Sequence, residues 1–262
     1  MKPARKPHLS RAANIARHVF KATQLRSPTE VPIELLAHMR GALVTEVDGL
    51  GARANVFRMG SRAVISIRGG LSRESFRFAV AHELGHLELH PAKNYLNLCT
   101  DIAVESSDYL SSGHEPEANA FAAELLMPES LVSRFADVKQ VTWEPVRAIA
   151  AEFQVPLTSA ALRFVASCPE RVALVSSVRG KVDWTARGRD FGHWIAKQPL
   201  DRFTLAFDYW DTGRVSRVPE TVSANAWIEA LDDDAELVEH AIALPGYDQV
   251  LSLLWIKSDA EF

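Results

Sequence analysis

Two histidines four residues apart with a glutamate between them, His82-Glu83-Leu84-Gly85-His86, are the residues of this chain best suited to chemistry. On a helix, positions four apart lie one above the other, so both imidazoles point the same way and can share one metal ion. Glu83 lies about 100° round the helix from His82, beside such an ion rather than on it. From there its carboxylate can take a proton from a water molecule. Neutral imidazoles suit zinc (Zn2+), and two of them leave the ion enough positive charge to lower the pKa of its water to about 7. Five residues thus supply half of a zinc-hydrolase site.

A catalytic zinc takes a third protein ligand and keeps one position open. His90 continues the four-residue series but lies about 12 Å along the axis from His82, too far for one ion to bind all three. It reads as a helix C-terminal residue facing the dipole. Position 92, six residues after His86, is alanine, so a third histidine at that spacing is excluded. Cys99, Asp101, Glu105 and Asp108 follow in a segment without a clear pattern. Then comes a second helix, His114-Glu115-Pro116-Glu117-Ala118-Asn119-Ala120-Phe121, running to Pro128, with Pro116 tolerated in its first turn. Either Glu115 or Glu117 can supply the third ligand. Glu115 is preferred, because Asn119 lies four residues on along the same face and can support a ligating histidine from behind.

Together, Arg77-Phe78-Ala79-Val80-Ala81-His82-Glu83-Leu84-Gly85-His86 and Glu115-x-Glu117-Ala118-Asn119-x-Phe121-Ala122-Ala123-x-Leu125-Leu126-Met127-Pro128 resemble the ImmA/IrrE family of bacterial and phage metallopeptidases. The likeness covers about residues 8 to 165. It implies a small, thermolysin-like zinc peptidase with a glutamate as third ligand, carried here onto Glu115 with Glu117 in reserve. It also implies a protein substrate, typically a helix-turn-helix repressor encoded nearby, and a role in transcription regulation or stress response.

The elements that must hold these residues are readable in outline. The helix bearing His82 runs from about 72 to 90, capped by Ser72 and ended by Pro91, with Phe78, Ala81, Leu84 and Leu87 on a buried side. Gly85 costs about 1 kcal/mol against alanine inside a helix, and either a close backbone or a merely small side chain accounts for it. Helices are expected at Ser10–Leu25 and Val31–Arg40. Runs at 42 to 47, 54 to 58 and 63 to 68 read as a small antiparallel sheet. From the zincin likeness, that sheet backs the His82 helix and its edge receives substrate as an added strand.

Beyond Pro128, a short helix at 129 to 136 precedes Trp143–Phe153 and Leu157–Ala166, two helices around a tight turn that resemble a helix-turn-helix. The second offers only Thr158, Ser159 and Arg163 to reach bases or phosphates, so the unit reads as core-building or substrate-docking rather than DNA-reading. After about 170 come a hairpin, Arg171–Val178 and Lys181–Ala186, a helix near Ala224–Leu231, and strands at Leu237–Leu244 and Val250–Lys257. All six tryptophans lie after residue 140, as expected for a small α+β core.

The fold expected is therefore α+β. A zincin-like metallopeptidase domain with N-terminal helices spans 1–136, a helix-turn-helix-like segment 137–168, and a C-terminal α+β domain, docking or sensory, 169–262. The apolar content of 47% suits a substantial core, and no apolar run approaches membrane-spanning length. The basic start lacks an apolar continuation, and Cys99 and Cys168 fit free thiols, so the chain reads as cytoplasmic. Residues 1 to 80 carry 14 Lys/Arg against 5 Asp/Glu, and the remainder 15 against 28. Such a split reads first as solvated faces. A non-enzymatic regulator with a structural zinc is the rival reading, but structural sites usually close all four positions with protein ligands, often Cys.

Overall fold

The computed structural model describes residues 8–90, 96–99, 114–229 and 234–257. The segment holding Asp101, Glu105 and Asp108 lies outside the described residues. The chain divides into two compact units, each discontinuous in sequence. One comprises Met1–Leu131 with Ile149–Ser159, the other Val132–Ala148 with Ala160–Phe262.

In the first unit, helices α1 (Leu9–Ala22) and α2 (Ile33–Met39) precede strands β1 (Ala42–Val47), β2 (Ala54–Met59) and β3 (Arg62–Arg68). Helix α3 (Arg73–Leu89), strand β4 (Leu96–Cys99) and helix α4 (Glu115–Leu126) follow. The sheet order is β1-β3-β2-β4. The sequence predicts an antiparallel sheet; the sheet is instead mixed, because β1 pairs in parallel with β3. The tight turn at Gly60-Ser61 makes β2 and β3 antiparallel neighbours, and β4 takes the far edge of β2. The free edge of β3 is left for β1.

Val56, Ala63, Ile65 and Ile67 alternate onto the buried face of this sheet. Helix α3 packs against β2 and β3 and also against α1, α2 and α4. It is consequently buried nearly all round, with Phe78, Val80, Ala81 and Leu84 at most 1% exposed. Ser72 caps its start by accepting a hydrogen bond from the Ser75 N–H. Arg40 tethers its far end through a two-pronged pair with Glu88, at 2.7 and 2.9 Å. Arg17 of α1 likewise binds the buried Glu124 of α4 at 2.9 Å.

Gly85 has a backbone neighbour. A Cβ there would lie 3.0 Å from the Ala118 Cα, 3.1 Å from its carbonyl oxygen and 3.2 Å from the Phe121 Cβ. The glycine is what lets α3 and α4 approach. Gly85→Val adds two further carbons against a backbone that cannot rotate away, and is expected to destabilise the protein by about 1–3 kcal/mol. Thermal unfolding measures this, and wild-type stability in that variant would show that the contact is easily relaxed.

Helices α5 (Glu129–Ala136), α6 (Trp143–Phe153) and α7 (Leu157–Ser167) follow. Ser159, one of three side chains offered for reading DNA, is buried. The second unit is built on an antiparallel five-stranded sheet of order β6-β5-β9-β8-β7. Its strands are β5 (Arg171–Val178), β6 (Lys181–Arg187), β7 (Glu220–Ser223), β8 (Glu236–Leu244) and β9 (Gln249–Ile256). The β5–β6 hairpin turns through Arg179 and Gly180, both left-handed with φ of 49° and 73°, the geometry that matches strand twist. Strand β9 is buried along its whole length.

Helix α8 (Leu205–Thr212) was not anticipated, although it carries ordinary signals. Thr204 caps its start, and Gly213 ends it at φ 74°. Of the helix expected near Ala224–Leu231, the described residues form only a single 3₁₀ turn, Ala224–Ala226. Trp227 leaves that turn to bury its ring and donate its indole N–H to Glu239 at 3.0 Å. Glu239 also accepts from the Leu205 and Ala206 N–H groups at the start of α8 and from the Ser252 hydroxyl. Of the tryptophans, Trp143, Trp184, Trp227 and Trp255 are buried, whereas Trp194 is 70% exposed. Cys168 is a buried free thiol. No helix among the described residues is long and apolar enough to cross a membrane.

Candidate metal centre

Helix α3 delivers His82, Glu83 and His86 to the interior of the first unit, all three at most 1% exposed. Buried polar groups cost free energy unless they are paired, and their partners come chiefly from α4. Glu115, in the first turn of α4, brings its two oxygens to the two rings. Oε2 lies 3.0 Å from His82 Nε2 and Oε1 3.3 Å from His86 Nε2, while the two Nε2 atoms are 3.0 Å apart. One ligating atom from each of His82, His86 and Glu115 falls within 4.8 Å of the others.

Asn119, one turn further along α4, places Oδ1 2.7 Å from His82 Nδ1. An amide oxygen accepts, so Nδ1 carries the proton and the Nε2 lone pair faces Glu115. A lone pair opposite a carboxylate at 3.0 Å is repulsive unless positive charge lies between them. The titration tendencies agree. Burial draws the His86 imidazole down to about 4, leaving it neutral at neutral pH. Burial also works against charge on His82, yet the Glu115 carboxylate, with Glu83 beside it, holds its pKa above the ordinary value. Against the effect of its own burial, Glu115 is held well below the usual carboxylate range by its close approach to the His82 and His86 rings, which favours positive charge between them. The cluster accommodates one positive charge, either a proton on His82 or a cation. Two imidazole nitrogens and a carboxylate oxygen are the donor set of a catalytic zinc site, so these residues fit the ion.

The residues taken from spacing are thus brought together as far as His82, His86 and Glu115 are concerned, and Glu83 is near enough for its charge to act on His82. Glu117, the reserve candidate, points elsewhere. Its Oε2 lies 2.8 Å from His90 Nε2, and its Oε1 accepts from the His8 backbone N–H at 2.8 Å. His90 is more than a residue at the end of a helix dipole. Its Nδ1 lies 3.3 Å from Nδ1 of His86. The signal for it was present in the four-residue spacing from His86, but its direction was not.

A buried helix carrying His-Glu-x-x-His against a small sheet, with an acid arriving from helix α4, is the arrangement expected of a metallopeptidase-like α+β domain. The chain belongs to the peptidase family described as the IrrE N-terminal-like domain, whose model matches residues 31–165, in agreement with the ImmA/IrrE resemblance. It is 36% identical over 75 residues to an uncharacterized immunity region protein 2 of Bacillus phage phi105, a match covering 29% of this chain and 44% of that protein. The chain therefore spans less than half the length of that curated relative. Among solved structures it is similar to a Mycobacterium tuberculosis transcriptional regulator. The TM-score is 0.60 at 16% identity, covering 95% of this chain and 77% of the other, a likeness of fold.

Proposed function

We propose that this protein is a zinc-dependent endopeptidase that hydrolyses a peptide bond within a protein substrate, a helix-turn-helix transcriptional repressor encoded nearby. The observation that carries the reading is the meeting of His82, His86 and Glu115 within 4.8 Å, next to the buried Glu83. When bound, zinc supplies a Lewis acid for the scissile carbonyl and lowers the pKa of water. His82, His86 and Glu115 would hold it, and Asn119 keeps the His82 ring turned toward the site. Glu83 accepts a proton from the attacking water on its carboxylate and passes it to the leaving amine. The burial of Glu83 and both histidines excludes bulk water from these transfers.

In this reading residues 1–136 carry the chemistry, and the C-terminal α+β domain, 169–262, docks the substrate or senses a signal. The regulatory setting is supported by the names of the relatives, an immunity region protein of a phage and a transcriptional regulator. Coexpression with the regulator encoded next door tests the proposal. The expected result is a shortened regulator with one new terminus. An intact regulator under conditions of derepression favours the rival, in which the protein acts by binding alone.

A further inference from the structure

Resting on the metal-centre reading above, we infer that His90 and Glu117 form a positioning pair that fixes the ring of His86. Glu117 Oε2 lies 2.8 Å from His90 Nε2, which makes that nitrogen the donor and leaves His90 Nδ1 as an acceptor. His86 Nδ1, 3.3 Å away, then donates to it. With its proton committed there, His86 turns its Nε2 lone pair toward Glu115 Oε1 at 3.3 Å and His82 Nε2 at 3.0 Å. Metal-ligating histidines characteristically donate their second N–H to a carboxylate or carbonyl. Here the carboxylate is reached through one intervening imidazole.

The string is anchored at both ends. The side chains of His90 and Glu117 are each only 4% exposed, so neither can exchange its partner for water. Glu117 Oε1 is held by the His8 N–H. The His90 ring stacks on His114 at 3.8 Å between centroids and 14° between planes. His114 immediately precedes Glu115, so the same ring steadies the start of the helix that delivers the carboxylate. His82 has its own orienting partner in Asn119. Helix α4 thereby orients both rings of α3, one directly and one through His90. Neither His90 nor Glu117 is a ligand, since the candidate group contains only His82, His86 and Glu115 among the described residues.

Three full-length variants separate positioning from packing. His90→Phe keeps a ring to stack on His114 but removes both hydrogen bonds. His90→Gln keeps an oxygen that can accept from His86 Nδ1. Glu117→Met removes the terminal acceptor at similar volume, and stands in should His90→Phe fail to fold. Each is loaded with Co2+. The readouts are affinity by competition with a chelating dye, the visible d–d spectrum, and thermal unfolding of the metal-free protein. Expected are a roughly 10- to 100-fold loss of affinity and an altered spectrum for His90→Phe and Glu117→Met, with His90→Gln near wild type. Wild-type affinity and spectrum in His90→Phe overturn the inference, as does equal loss in His90→Phe and His90→Gln. A change in thermal stability without change in affinity or spectrum also overturns it, by assigning the pair a packing role. Should wild-type protein itself bind no Co2+, or Glu115→Ala bind it as well as wild type, the metal-centre reading fails instead.

Discussion

Glu83→Gln is expected to bind zinc like wild type and to leave the substrate intact. The exchange is nearly isosteric and removes no ligand in the proposed site, so metal content stays the same. What disappears is a group able to accept a proton. General bases typically contribute 10²- to 10⁴-fold, and a loss of about 10³-fold or more is expected here, because the same carboxylate also returns the proton to the amine. The wild-type glutamate is 0% exposed, so bulk water is poorly placed to substitute for it. Zinc analysis of the purified variant, alongside a gel of the coexpressed regulator, measures both halves. Cleavage at the wild-type rate would remove Glu83 from the mechanism.

Glu115→Ala is expected to lose both zinc and activity. Two neutral imidazoles bind zinc weakly and leave its charge uncompensated. The fold should survive, because the Glu115 side chain is partly exposed and His82 and His86 keep Asn119 and His90 as partners at Nδ1. Asn119→Ala provides the graded comparison. It leaves all three donors but frees the His82 ring, and should weaken binding by roughly 10- to 100-fold. Glu117 is no bystander in this series. Spacing made it only the reserve ligand, whereas its contact with His90 predicts that Glu117→Ala brings a loss of the Asn119 type. Metal content and affinity across the three alanine variants order them. Full zinc in Glu115→Ala with loss in Glu117→Ala would move the ligand by two residues.

The parts of the site that were legible in the sequence are those fixed by local geometry. His82 and His86 share a face because of helical pitch, and Glu115 and Asn119 do so for the same reason. His90 escapes that rule because the helix stops at it. Its backbone, at φ −124° and ψ 64°, is no longer helical, so its ring leaves the series of its predecessors. Where it goes depends on the packing of α3 against α4, which Gly85 permits and no spacing announces. The same distinction runs through the fold. Strands β1 to β3 were visible as apolar runs, but the insertion of β3 between β1 and β2 is a non-local choice. Near Ala224 the run Ala224-Asn225-Ala226-Trp227-Ile228 reads as helical in the sequence. Tertiary contacts overrode it, with Trp227 drawn to the carboxylate of Glu239.

The interleaving of the two units has a consequence for anyone who would divide this protein. Because Ile149–Ser159 belongs to the first unit while Val132–Ala148 belongs to the second, the chain passes between them three times. No single cut separates them. A chain stopped at Leu131 leaves the first unit without one of its pieces, and one begun at Ala160 deprives the second of another. The smallest contiguous fragment that keeps the first unit whole runs through Ser159 and carries part of its neighbour with it. The matched family segment, 31–165, spans that same crossing. A break anywhere inside the chain therefore divides at least one of its two units.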